Sequence, residues 1–105
     1  MASEITSAEQ YRRVRAVAAQ RLSRGAPAAV IQALARAQGQ PLTARDLAGE
    51  TDYPQATVRD AALIQVAAGH AERTTFPGSK PTLVAWVVTP DGVQFAASLT
   101  ARTGI

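Results

Sequence analysis

The 105-residue chain is long enough for one domain, and its 47% hydrophobic content is typical of a folded protein rather than a disordered one. Its 11 Lys and Arg residues outnumber its 8 Asp and Glu residues, so the net charge of +3 suits a polyanionic partner, although GC-rich codon usage also favours arginine and alanine. The chain has no cysteine, which excludes disulfides, zinc–thiolate sites and thiol nucleophiles.

An amphipathic helix is expected near the amino terminus, from about Ser7 to Ser23, and Gly25 closes it. Its apolar residues recur at spacings of three and four, while its arginines fall largely on other faces. The apolar stripe consists of Tyr11, Val14, Ala18 and Leu22. We treat residues 1–25 as a separate segment with two interpretations: its arginines contact a polyanion, or its stripe packs within the fold or against a second copy of the chain.

A second helix is predicted from Pro27 to about Gln38. Proline suits the first turn of a helix because the N–H that it lacks would have no partner there, and Gly39 ends the segment. The predicted buried stripe consists of Val30, Ile31, Leu34 and Ala35.

A third helix follows a short extended connection at Pro41 and Leu42. Thr43 is its expected N-cap, and Asp46 three residues later completes a near capping box in which Asp replaces the usual Glu. The inward-facing residues of this helix are expected to be Leu47 and Ala48.

A tight turn with the sequence TDYP, at positions 51–54, separates this helix from a fourth that runs from about Gln55 to Ala68. Two strands are predicted next, Ala71–Phe76 and Thr82–Val88, with a five-residue loop rich in Pro and Gly between them. This pattern predicts a β-hairpin.

The last helix opens with TPDG at positions 89–92, a cap followed by proline in the first turn, and runs to about Arg102. Its candidate core residues are Val93, Phe95, Ala96 and Leu99. Because much of the apolar content is alanine, we expect a thin core, and small domains with thin cores often gain stability by dimerising. The large core side chains are expected to be Leu34, Leu47, Leu63, Phe76, Trp86 and Phe95.

Four short motifs occur in a characteristic order along the chain. DLA lies at 46–48, ATV at 56–58, AGHAER at 68–73 and TPDG at 89–92. In this order and spacing they resemble the winged helix-turn-helix regulators, in particular those related to the multiple-antibiotic-resistance repressors, over about Pro27 to Ala101.

Three residues depart from the pattern of that family. Tyr53 stands where a small aliphatic residue is usual, and Pro54 where a serine N-cap is common. Gln65 stands where a core leucine is often found, which calls for either a polar partner or a slightly rotated helix.

The resemblance implies an α+β, mostly helical fold: a winged helix-turn-helix domain over residues 26–105 with a two-stranded wing, preceded by the extra amino-terminal helix. It also implies a sequence-specific double-stranded DNA-binding transcriptional regulator, a bacterial or phage repressor. The recognition helix, 55–68, would enter the major groove, and the wing, 73–88, would contact the DNA backbone or the minor groove.

Base contacts are expected from the start of the recognition helix. Gln55 suits adenine, Arg59 suits guanine, and Thr57 suits a phosphate or a thymine methyl group, although each is also an ordinary solvated helix residue. The residues expected to face the core instead are Val58, Ala61 and Ala62.

The wing offers fewer contacts. Lys80 lies at its tip, where a solvated lysine is equally common, and Arg73 is expected either to contact phosphate or to pair with Glu72 or Asp60. The full predicted DNA-contact set is Thr43, Arg45, Gln55, Ala56, Thr57, Arg59, Asp60, Arg73, Thr75, Ser79 and Lys80.

The end of the recognition helix is apolar almost all round, so either the amino-terminal helix or a partner chain must cover it. The residues concerned are Leu63, Ile64, Val66 and Ala67. We hypothesise a homodimer that reads two half-sites about one helical turn apart, with Tyr11, Val14, Ala18 and Leu22 as the dimerisation stripe.

Catalysis has little support in the sequence. His70 is the single histidine and lies in a turn, where a structural or solvated role is usual, and no phosphate-binding glycine loop or nucleophile–base pair occurs. We therefore expect no enzyme activity, no cofactor, no metal and no small-molecule ligand. The alternative function is a winged-helix protein–protein interaction module acting on the transcription or replication machinery, and a weaker one is a phage or plasmid protein of replication or packaging.

The expected location is the cytoplasm, in association with the nucleoid. The amino terminus lacks the basic-then-apolar pattern of a signal peptide, and no apolar run approaches the ~20 residues that span a bilayer. No membrane partner is expected.

Overall fold

The computed structural model describes residues 22–76, 78, 80 and 82–103. Within these residues the elements in chain order are helix α1 (Gly25–Arg36), strand β1 (Leu42–Thr43), helix α2 (Ala44–Thr51), helix α3 (Gln55–Ala67), strands β2 (Ala71–Thr75) and β3 (Val84–Val88), and helix α4 (Pro90–Thr103). Of the predicted amino-terminal helix, only its last residues fall in the described range, so the division of the chain at residue 25 stays a prediction.

The sheet has three antiparallel strands in the order β1-β3-β2 within the described residues. The predicted two-stranded wing is present as the hairpin of β2 and β3, and the connection expected at Leu42 adds a third strand, with Leu42 in register with Trp86 of β3. The N-cap residue Thr43 has extended backbone angles, so this segment can pair with the edge of β3. In the hairpin, the pairing reaches beyond the strand ends, since the Phe76 N–H donates to the Leu83 carbonyl oxygen at 2.7 Å.

The core lies between the four helices and one face of the sheet. Leu34, Leu47 and Trp86 are buried as predicted, and Phe95 is half-buried at the edge of this cluster. The smallest exposed fractions belong to Val30, Ile31, Leu34, Leu47, Val58, Ala62, Gln65 and Ala85. Alanines fill many of the remaining inward positions, so the helices pack closely around few large side chains.

Three side chains predicted for the core are exposed instead: Leu63 by 57%, Phe76 by 37% and Val93 by 47%. Phe76 pairs with Leu83 and so lies on the opposite face of the hairpin from Trp86, because side chains alternate along a strand. Val93 follows the buried Gly92 by one residue and is turned away from the core by about 100°. Within the described residues the sequence pattern predicted the four helices and the hairpin, but it assigned the wrong face to these three residues.

The predicted helix starts are confirmed in detail at two places. Thr43 and Asp46 form the full capping box: the Asp46 N–H donates to Thr43 Oγ1 at 3.2 Å, and the Thr43 N–H donates to Asp46 Oδ2 at 3.0 Å. Thr89 caps α4 by accepting the Gly92 N–H at 3.1 Å. Both caps occupy backbone groups that a helix leaves without internal partners.

Candidate nucleic-acid interface

A tight turn joins α2 to α3 and sets the angle between them. Asp52 ends α2 in the left-handed conformation, with φ of 63°, which Asp tolerates better than most residues. The Thr51 hydroxyl donates to the Leu47 carbonyl oxygen at 2.7 Å and accepts the Tyr53 N–H at 3.4 Å. Tyr53, which departs from the family pattern, is half-buried against the core. The turn is thus held by its own side chains.

Helix α3 has one buried face and one exposed face. Val58, Ala61 and Ala62 are buried as predicted, and Gln65 joins them. Thr57 is half-buried at the boundary between the faces. The exposed residues, which we call the outer face of α3, are Gln55, Ala56, Arg59, Asp60, Leu63 and Ala67.

The charges near this face are available to a partner. The ion pair formed among the described residues joins Arg36 and Glu50, at 3.8 Å, and both of these side chains are more than half exposed. Arg59 and Asp60 are both exposed on the outer face, and neither forms an ion pair with another described residue. The outer face of α3 therefore presents a guanidinium and a carboxylate that no ion pair among the described residues neutralises.

Arg73, on the wing, is likewise exposed and forms no ion pair with another described residue. It is exposed on β2, and within the described chain it pairs with neither Glu72 nor Asp60, so the ion pair expected as one alternative does not form. The register explains this for Glu72, since Arg73 lies opposite Trp86 and Glu72 lies opposite Val87, on the other face of the sheet.

The other members of the predicted DNA-contact set lie on three elements. Arg45, Thr75 and Lys80 are exposed, and Ser79 lies outside the described residues. Thr43 is half-buried, and its hydroxyl oxygen accepts in the capping box, which leaves the hydroxyl hydrogen able to donate.

A polar cluster around the buried Gln65 fixes the far end of α3, and the contacts among its members were not predicted from the sequence. Gln65 has the polar partner that its position required: its Nε2 donates to the Pro27 carbonyl oxygen at 2.9 Å, and its Oε1 lies 2.7 Å from His70 Nδ1. Because a carbonyl oxygen only accepts, His70 carries a proton on Nδ1. The His70 ring stacks on Phe95 with centroids 4.3 Å apart. The cluster therefore links α3 to α1 and α4.

The same turn is tied to the start of α4 through the backbone. The Thr89 hydroxyl donates to the Gly69 carbonyl oxygen at 2.7 Å, and the Thr89 N–H donates to the His70 carbonyl oxygen at 3.0 Å. Gly92 approaches so closely that a Cβ there would overlap the His70 carbonyl oxygen. The TPDG motif thus serves to clamp the exit of α3 as well as to start a helix.

The His70 ring is held within the fold by Gln65 and Phe95. Burial lowers its pKa from the ordinary value of 6.5, and the nearby carboxylate of Asp91 opposes that shift in part. The described residues contain no group of three side chains suited to hold a metal ion, and none of their helices is long and apolar enough to cross a membrane.

Helix α2, the tight turn, helix α3 and the antiparallel hairpin, held together by α1 and α4, define a winged helix-turn-helix domain. Solved structures with this fold include a variant of Lactococcus lactis ZitR in apo form, with a TM-score of 0.64, 17% identity, and coverage of 93% of this chain and 73% of that one. Staphylococcus aureus MepR, described as a transcription regulator of the multidrug efflux pump MepA, has a TM-score of 0.63 and 14% identity, with coverage of 93% and 76%.

Bordetella bronchiseptica BpsR, whose DNA binding is described as regulated by 6-hydroxynicotinic acid, has a TM-score of 0.56 and 24% identity, with coverage of 98% and 84%. All three are winged-helix regulators of the multiple-antibiotic-resistance-repressor (MarR) family. No protein-family model and no curated protein matches the sequence. The resemblance inferred from the four motifs is confirmed at the level of the fold.

Proposed function

We propose that this protein is a sequence-specific double-stranded DNA-binding transcriptional regulator, of the repressor type, that acts in the cytoplasm without catalysis. The observation that carries the proposal is the outer face of α3, which begins at an accessible helix start and presents Arg59 unneutralised by any described residue. A helix fits the width of the major groove, and its first residues reach the base edges. The regulators with the same fold support this assignment.

The predicted contacts divide into two roles. Arg59 and Gln55 would read base edges, because a guanidinium matches guanine O6 and N7 and an amide matches adenine N6 and N7. Arg45, Arg73 and Lys80, all exposed, would neutralise phosphates on either side. Three phosphate contacts would make the logarithm of the affinity fall with the logarithm of salt concentration with a slope of about −3 per chain.

The test is a fluorescence-anisotropy titration against a random duplex and against the DNA upstream of the protein's own gene, at two salt concentrations. We expect salt-sensitive binding that is tighter on the upstream DNA. Arg59→Ala should weaken specific binding by roughly 5- to 150-fold, corresponding to about 1–3 kcal/mol for a bidentate base contact.

The matched control for Arg59→Ala is Arg36→Ala, which removes the same charge from an exposed helical site outside the predicted DNA-contact set. Arg36→Ala should leave the preference for upstream DNA intact. If the two substitutions weaken binding to the upstream DNA equally, Arg59 contributes only its positive charge and does not read a base. If neither duplex is bound at low salt, the proposed DNA-binding function is contradicted, and the protein–protein interaction module becomes the favoured function.

The homodimer is part of the same proposal. Leu22 is 6% exposed and so is packed within the single chain, while Tyr11, Val14 and Ala18 lie outside the described residues. What supports a dimer is the thin, alanine-rich core, together with the one recognition helix that the described part of the chain contributes. Multi-angle light scattering at micromolar concentration should give twice the chain mass of 11.0 kDa, and a monomeric mass would contradict the dimer.

A further inference from the structure

The outer face of α3 has an apolar centre with one charge on each side. Residues seven apart in an α-helix lie within about 20° of each other around the axis, so Ala56 and Leu63 share one line. Arg59 lies about 40° from Leu63 on one side, and Asp60 lies about 60° away on the other. Leu63 is therefore at the middle of the face that the proposed function directs into the groove.

Leu63 contributes little to the core of the single chain. Its side chain is 57% exposed, whereas Val58, Ala61 and Ala62 occupy the inward side of the helix. A single exposed leucine is ordinary on a protein surface and by itself indicates nothing. Its meaning comes from its place, on the same face as Arg59 and two turns beyond Ala56, whose small side chain allows the helix to approach closely.

The floor of the major groove offers one apolar group to such a side chain. Thymine carries a C5-methyl group there, whereas the other three bases present hydrogen-bonding edges without a methyl. Leucine against a polar edge would remove water from donors and acceptors without replacing their hydrogen bonds, which costs free energy. Against a thymine methyl group, the same contact buries apolar surface and is favourable.

We infer that Leu63 is a specificity-determining residue that reads a thymine methyl group in the bound half-site, an inference that rests on the proposed DNA-binding function. Arg59 and Asp60 flank this contact and fix the helix by polar contacts to neighbouring base pairs. In the complex, DNA therefore covers Leu63, and the DNA group that contacts this side chain is the C5-methyl group of a thymine.

The experiment compares thymine with uracil, which pairs identically but lacks the methyl group. The preferred site is first selected from a random duplex pool with the full-length protein. Each thymine of that site is then replaced singly by deoxyuridine, and binding of the wild type and of Leu63→Ala is measured by fluorescence anisotropy. At one position per half-site the wild type should lose about 4-fold in affinity, the factor for about 0.8 kcal/mol per buried methyl-sized group.

Leu63→Ala should bind the thymine and uracil duplexes equally at that position. Its melting temperature should stay close to that of the wild type, because the side chain is largely exposed and alanine favours helix. The matched control is Val93→Ala, which shortens another exposed aliphatic side chain, on α4, and should keep the full difference between thymine and uracil.

The failures of the two proposals are distinguishable. No DNA binding by the wild type overturns both the proposed function and the role of Leu63. Specific binding with no uracil-sensitive position, or a sensitivity that persists in Leu63→Ala, overturns the inference alone. So does a change from dimer to monomer in Leu63→Ala by light scattering, which would assign Leu63 to a protein interface.

Discussion

The contact between Gly92 and the turn after the recognition helix predicts the sign of an alanine substitution. A Cβ at Gly92 would overlap the carbonyl oxygen of His70 and would lie 2.8 Å from Val88 Cγ2. The first of these is backbone and cannot rotate away. Gly92→Ala must therefore move the start of α4 away from the turn.

The expected cost follows from three contributions. Overpacking in a filled site typically costs about 1–3 kcal/mol. The shift also disrupts the hydrogen bond from the Thr89 N–H to His70, a loss of about 1 kcal/mol. Alanine in place of glycine returns up to about 1 kcal/mol of helix propensity. The net loss in the free energy of unfolding is about 1–3 kcal/mol, which lowers the melting temperature of a domain of this size by roughly 5–20 °C.

The assay is thermal and urea unfolding followed by circular dichroism, with Gly49→Ala as the matched control. Gly49 lies within α2, and a Cβ there would meet nothing within 4 Å. Gly49→Ala should therefore stabilise the protein by about 0.5–1 kcal/mol. A Gly92→Ala variant as stable as the wild type, beside a stabilised Gly49→Ala, would refute the close approach of α4 to His70.

Three further predictions concern a cap, a titrating group and a charge. Thr43→Ala should lower the urea midpoint by removing the capping box with Asp46, at a cost of about 1 kcal/mol, whereas Thr43→Ser should keep most of the stability. Because burial lowers the pKa of His70 in the folded state, the unfolded state binds more protons as pH falls below 6.5, so stability should be full above that pH and decline below it. That decline should be weaker in His70→Asn, and an equal decline in both proteins would contradict the assignment to His70. Asp60→Asn should bind random duplex more tightly in anisotropy titrations, because it removes a negative charge from the outer face of α3, and unchanged affinity would place Asp60 away from the phosphates.

Much of the architecture follows from interactions between residues close in sequence, which can be recognised in the sequence itself. The Thr43–Asp46 capping box and the TPDG helix start depend on residues three apart, so their pattern predicts them without knowledge of the rest of the chain. The buried positions Val58, Ala61 and Ala62 likewise follow from helical spacing. These elements and the hairpin, together with the resemblance of the four motifs to a known family, indicated a winged helix-turn-helix fold.

The tertiary structure decided how these elements meet. Sequence spacing could not show that Leu42 pairs with β3, that Leu63 is exposed, or that Gly92 lies against the His70 carbonyl oxygen. It left open whether Gln65 has a polar partner, and the fold supplies Pro27 from α1 and His70 from the following turn. Each of these contacts joins segments distant in sequence or depends on which side of a helix the core fills, and local propensity contains neither kind of information.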